Sequence, residues 1–139
     1  MNSRIRNLYT CLKKQALDAL IVFSPANITY LTKYASRDSC LLVSKKANLY
    51  FTDSRYTEEA ASGLKGIAKI CQINGSVFKL IACACDNLGL KRVGFEENHL
   101  SFSEYKKLKR FMNKRTHTVP LSGLIEEPRQ IKGEPELEQ

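Results

Sequence analysis

Long apolar runs are missing from this sequence. No stretch approaches the roughly 18–20 residues that a membrane-spanning helix needs, and the N-terminus, MNSRIRNLYTCLKKQ, is polar where a signal peptide carries its apolar core. A chain with neither feature is expected to be a soluble cytoplasmic protein that makes no membrane contact. Histidine is scarce as well. The two present, His99 and His117, stand in no metal-binding spacing such as H-E-x-x-H and beside no cysteine pair. Gly63-Leu64-Lys65-Gly66 lacks the Ser or Thr and the glycine spacing of a phosphate-cradling loop. With no hydrolytic or group-transfer constellation in sight, no catalytic and no metal-ligating residue is expected. Cysteines number five (Cys11, Cys40, Cys71, Cys83, Cys85), an odd count at irregular spacing that suits reduced thiols rather than a disulfide framework. Cys83 and Cys85 cannot share a metal from one helix, because positions two apart lie about 200° apart around its axis. Both are expected to pack in the core. Repeats and low-complexity segments are absent too.

What is present is an ordinary globular balance, 43% hydrophobic and 26% charged over 139 residues, which fits one domain able to fold without metal or disulfide. The net charge of +8 is unevenly spread: five acids and two bases lie from Glu126 onward, against 20 bases and nine acids before it. Such an excess invites a nucleic-acid reading, because lysine and arginine contacts to phosphate dominate that affinity. The basic helix Tyr105 to Arg115 is its best candidate. Its aromatics Phe102, Tyr105 and Phe111 are expected to serve the core rather than a stacking surface, leaving a solvated lysine-rich face, so no nucleic-acid partner is expected.

Apolar residues at helical spacing predict a helix over residues 3–15, and the run Leu17 to Phe23 a buried strand closed by Ser24-Pro25. Ser24 then caps a short helix with proline at its first position. Thr32 to Ser39 reads as a polar loop. Cys40–Val43 and Asn48–Thr52 form a hairpin. Asp53 can cap a helix starting at Ser54, with Gly63 past its last turn. Strand 67–73, helix 76–87, strand 91–95 and helix 101–112 follow, with a last strand over 116–119 before Pro120. Helices alternating with strands around a hairpin predict an α/β fold with a mixed sheet covered by helices. Glu134-Pro135-Glu136 has the look of a helix start that stops within one turn, which suggests a continuation beyond it.

Two polar clusters are the candidate binding residues: the loop 33–39, with Tyr34, Arg37 and Asp38, and the strand-to-helix junction Asp53, Arg55 and Tyr56. Loops on a rigid scaffold are where such residues concentrate. The plainer alternatives are that Asp53 is only a helix cap, that Arg55 and Tyr56 pack against the loop, and that Arg37 and Asp38 pair with each other in water. His99 follows Glu96-Glu97-Asn98, which allows a carboxylate–histidine pair, against a structural or surface role.

The motifs Ser24-Pro25-x-Asn27-Ile28-x-Tyr30-Leu31-Thr32, Phe51-Thr52-Asp53-x-Arg55-Tyr56, Val93-Gly94-Phe95-Glu96 and Arg129-x-Ile131-Lys132 occur in this order. In that combination the chain resembles the N-terminal domain of the creatinase/prolidase group, which includes Xaa-Pro aminopeptidases and Xaa-Pro dipeptidases. Lys33 stands where that group usually has glycine, and Pro128 at a position that is normally not proline. The resemblance implies a ribonuclease H-like mixed sheet over residues 1–126. Residues 127–139 would then be a linker and the first turn of a helix leading into a catalytic domain absent from this chain. The parent would be a hydrolase with two divalent ions (Mn, Co or Zn) held by two Asp, one His and two Glu of that further domain. This chain would have no activity alone. It would serve as a dimer-forming wall of the partner subunit's site for proline-containing peptides, to which Tyr34, Arg37 and Asp38 contribute. Asp53, Arg55 and Tyr56 would be a structural motif. The alternative is a stand-alone basic module for nucleic acid or protein.

Overall fold

The computed structural model describes residues 2–36 and 38–130. Helix α1 (Ser3–Lys14) is capped by the Asn2 side chain, which accepts the Ile5 N–H at 2.9 Å, and buries Ile5, Leu8, Tyr9 and Leu12 on one stripe. Strand β1 (Ala19–Val22) follows, and Ser24 caps α2 (Pro25–Thr32) as expected, its hydroxyl accepting the Asn27 N–H at 3.2 Å. Helix α2 ends at Lys33, which takes a left-handed conformation with φ 63. The turn that glycine adopts freely is therefore made with lysine.

The hairpin of β2 (Cys40–Ser44) and β3 (Leu49–Thr52) precedes α3 (Thr57–Gly63), β4 (Lys69–Gln72), α4 (Val77–Asn87), β5 (Arg92–Glu96), α5 (Phe102–Phe111) and β6 (His117–Leu121). The six strands lie in the order β4-β3-β2-β1-β5-β6. Only the β1–β2 and β2–β3 pairs are antiparallel; the other three are parallel. Alternate residues of the sheet face two cores. Leu20, Val22, Leu41, Val43 and Tyr50 pack with α1, α2 and α3, while Ala19, Ile21, Leu42, Phe51, Val93 and Phe95 pack with α4 and α5. This is the expected mixed sheet with helices on both faces.

Several expectations need correction. Strand β6 runs through Pro120 instead of stopping before it; β6 is an edge strand, where a missing N–H costs no ladder bond. Helix α3 starts at Thr57, and Asp53 does not cap it. On α5 the buried stripe is Leu108 with Met112 and part-buried Tyr105. Phe102 is 75% exposed and Phe111 40% exposed. At 100° per residue each lies about a quarter-turn to one side of that stripe, beyond the reach of the sheet. Cys85 is buried but Cys83 is exposed, because two thiols on opposite sides of α4 cannot both face the core.

Candidate functional site

Five strands, β1, β3, β4, β5 and β6, run one way and β2 the other. Their carboxyl ends and the amino end of β2 therefore meet at one end of the sheet. Residues 23–27, 33–36, 38–39, 53–56, 96–99 and 122–126 all lie there, at the end where open α/β sheets bind ligands. They form two groups.

The first group joins the two clusters read from the sequence. Asp53 accepts the Arg55 N–H at 2.8 Å and holds the Arg55 guanidinium in a bidentate pair at 3.1 and 2.8 Å. A carboxylate captured two residues on cannot cap a helix that starts two residues later still. The hydrogen bond from Arg55 holds the Asp53 carboxyl below the usual range, and the same pairing raises Arg55. The guanidinium also lies over the Tyr56 ring at 5.1 Å. Asp38, with φ 42 and its side chain 73% exposed, approaches the same Arg55 Nη2 at 3.8 Å. Loop and junction thus share one exposed charged surface. Arg37 lies outside the described residues.

Tyr34 is placed differently. Its ring meets Tyr50 edge-on with centroids 5.9 Å apart, and it lies against Gly63 so closely that a Cβ there would sit 2.4 Å from the ring. Glycine at the end of α3 is what lets this ring anchor the start of the loop. Below the loop, the buried Thr52 hydroxyl has no hydrogen-bond partner among the described residues.

The second group was not identified from the sequence. Glu96, buried at the end of β5, accepts the Phe23 and Ser24 N–H groups on Oε1 at 2.6 and 2.9 Å, and the Asn27 amide donates to its Oε2. A carboxylate at the start of α2 satisfies backbone donors and complements the helix dipole. The fully buried Asn27 amide also donates to Glu126 Oε2 at 3.0 Å, and its Oδ1 accepts from Arg129 at 2.9 Å. His99 Nε2 meets Glu126 Oε2 at 3.2 Å, so the carboxylate partner of His99 is Glu126 and not the adjacent Glu96 or Glu97. Burial pushes the Glu126 carboxyl up, but hydrogen bonds from Asn27, from its own backbone N–H and from His99 outweigh it and hold it below the ordinary value. No local signal marks this group in the sequence: Asn27 stands in a short helix that also carries Thr29, Tyr30 and Thr32.

Glu96, His99 and Glu126 bring ligand atoms within 4.8 Å of one another, the separation a cation would need. The Asn27 amide already bridges the two carboxylates where such an ion would stand. Nor does the trio supply the aspartates of a two-metal peptidase centre. The described residues do not fit that centre.

Fold and site together define a class: a three-layer α/β/α domain that gathers polar side chains at one sheet end. More particularly, the chain belongs to the creatinase/prolidase N-terminal domain family, whose sequence profile matches residues 4–131. It is 28% identical over 134 residues to the uncharacterized peptidase YqhT of Bacillus subtilis, a match covering 96% of this chain and 36% of that protein. An Xaa-Pro dipeptidase structure from Bacillus anthracis superposes with a TM-score of 0.83 at 27% identity, covering 91% of this chain and 35% of that one. The N-terminal domain of the cytoplasmic peptidase PepQ from Mycobacterium tuberculosis superposes at 0.82 with 25% identity, covering 91% of this chain and 98% of that one. The chain thus spans about a third of the length of its full-length relatives.

Proposed function

We propose that this chain is the non-catalytic N-terminal domain of a cytoplasmic, metal-dependent Xaa-Pro peptidase, in which it forms part of a homodimer and walls the substrate site of the partner subunit. Metal chemistry belongs, on this reading, to a domain that the chain does not include: paired divalent ions would generate the hydroxide and stabilise the oxyanion there. A separate wall has a physical reason. A peptide bond to proline offers no N–H by which its register can be read, so peptide length must be limited by shape and by contacts to the termini. The observation that carries the reading is the exposed surface where Asp38 meets the Asp53–Arg55 pair at the carboxyl end of the sheet. Arg37, beside it in sequence, has the guanidinium that binds a peptide carboxylate through two parallel hydrogen bonds, and Asp38 suits a free amine or holds Arg37.

The test is Arg37→Ala and Asp38→Ala in the peptidase that contains this domain. A raised KM or an altered preference between dipeptides and tripeptides, with metal content intact, is expected. Unchanged kinetics with both substrate lengths would reduce the loop to an ordinary surface turn.

A further inference from the structure

We propose that Asn27, Glu126 and Arg129 form a clasp that makes the helical turn 126–130 a rigid part of this domain, locked to the start of α2 and the end of β5. The sequence reading places a linker from residue 127. Yet residues 126–130 are helical, although an isolated turn does not hold, because nucleation costs more than one turn of hydrogen bonds returns. Something else must fix it, and the contacts are explicit.

Gly123, with φ 78, turns the chain out of β6, and Ile125 is buried in the core beneath α1 and α2. From the turn itself Glu126 accepts from Asn27 and pairs with His99, while Arg129 donates to the Asn27 side-chain oxygen Oδ1. Asn27 is in turn tied to Glu96 at the end of β5. Its amide is thereby fixed in orientation, nitrogen toward the two carboxylates and oxygen toward the guanidinium, so the turn is keyed to both α2 and β5. Pro128 leaves a gap in the turn's own hydrogen bonds, because its missing N–H falls between the Glu127 and Arg129 bonds to Gly123 and Ile125, and the clasp holds the turn across that gap. The clasp can be read on this chain alone.

Hydrogen exchange tests it. The Glu127 and Arg129 amides donate within the turn to Gly123 and Ile125 at 3.1 and 3.0 Å. Arg129→Ala is expected to speed their exchange by about tenfold or more while amides of β1 and β2 keep their protection. Asn27→Asp, which sets a third carboxylate beside Glu96 and Glu126, is expected to do so more strongly. If Asn27→Asp does not fold, Arg129→Ala decides. Unchanged exchange at Glu127 and Arg129 in a folded Arg129→Ala chain overturns the clasp. The walling function is read by KM in the longer peptidase, so either proposal can fail without the other.

Discussion

One end of this sheet carries two polar groups of opposite construction. Around Arg55 the partners are Asp53, Tyr56 and Asp38, all within about 17 residues of it in sequence and largely in water. Around Asn27 the partners come from 69 to 102 residues away, and the hub is wholly buried. An exposed ion pair is worth little to stability, because water and salt screen it and two long side chains lose freedom in forming it. A buried amide bridging two carboxylates is another matter: once withdrawn from water, each of its groups must find a partner or cost free energy. The contrast separates the tasks of the two groups. On the function proposed above, the surface around Arg55 serves recognition, while the side chains around Asn27 tie α2, β5 and the turn 126–130 together.

The comparison is broken most sharply at Glu96. Glu96→Gln keeps the shape and the oxygen that accepts from Phe23 and Ser24, but turns an amide N–H₂ toward the donating nitrogen of Asn27. Donor then faces donor in a buried site. A loss of about 2 kcal/mol is expected, read as a lower urea midpoint with unchanged slope. A midpoint equal to that of the parent chain would mean that the buried group contributes nothing, and the distinction between the two would collapse.

How far the sequence reveals each group follows from the same distances. The Ser24-Pro25 cap, the hairpin and the sheet with helices on both faces are local signals, set by neighbours a few residues apart, and they are found where expected. Asp53 was misread because two local uses compete for one carboxylate, a cap and a pair with Arg55, and spacing alone does not say which prevails. Phe102 was misread because helical periodicity says which side faces the sheet but not how far the sheet extends. The Asn27 group was illegible for a different reason. No pattern at residue 27 announces residues 96, 126 and 129; only the parallel placement of β1 and β5, and the turn out of β6, bring them together. Asp38 beside Arg55 likewise depends on the start of β2 and the end of β3 meeting at one end of the sheet.

A smaller effect sharpens the comparison through pH. Glu126 has a folded pKa below its ordinary value of 4.5, so it binds a proton less readily in the folded chain than in the unfolded one. Its contribution is therefore full above that ordinary value and is lost as pH falls through the depressed one. With its side chain 30% exposed, solvent screening keeps the amount under about 1 kcal/mol. Acid should loosen the turn 126–130 before it unfolds the sheet, and Glu126→Gln should remove that part of the pH dependence. A parent chain and a Glu126→Gln variant with parallel stability curves between neutral pH and pH 3 would show that the charge on Glu126 plays no part.

The smallest effect is expected at Asp53. Its carboxyl is held below the usual range by Arg55, which would ordinarily suggest a stabilising pair, but the pair lies at the surface and its two members are only two residues apart. A contact that close in sequence forms readily in the unfolded chain as well, so it favours neither state. Asp53→Ala should leave the melting temperature of this chain unchanged within error. What it should change is the position of Arg55, released from its bidentate partner and left with Asp38 at 3.8 Å. In a peptidase carrying the domain, that shift would appear in KM and not in folding. A melting temperature lowered as far by Asp53→Ala as by Glu96→Gln would place both groups in the scaffold and leave the exposed surface without a task of its own.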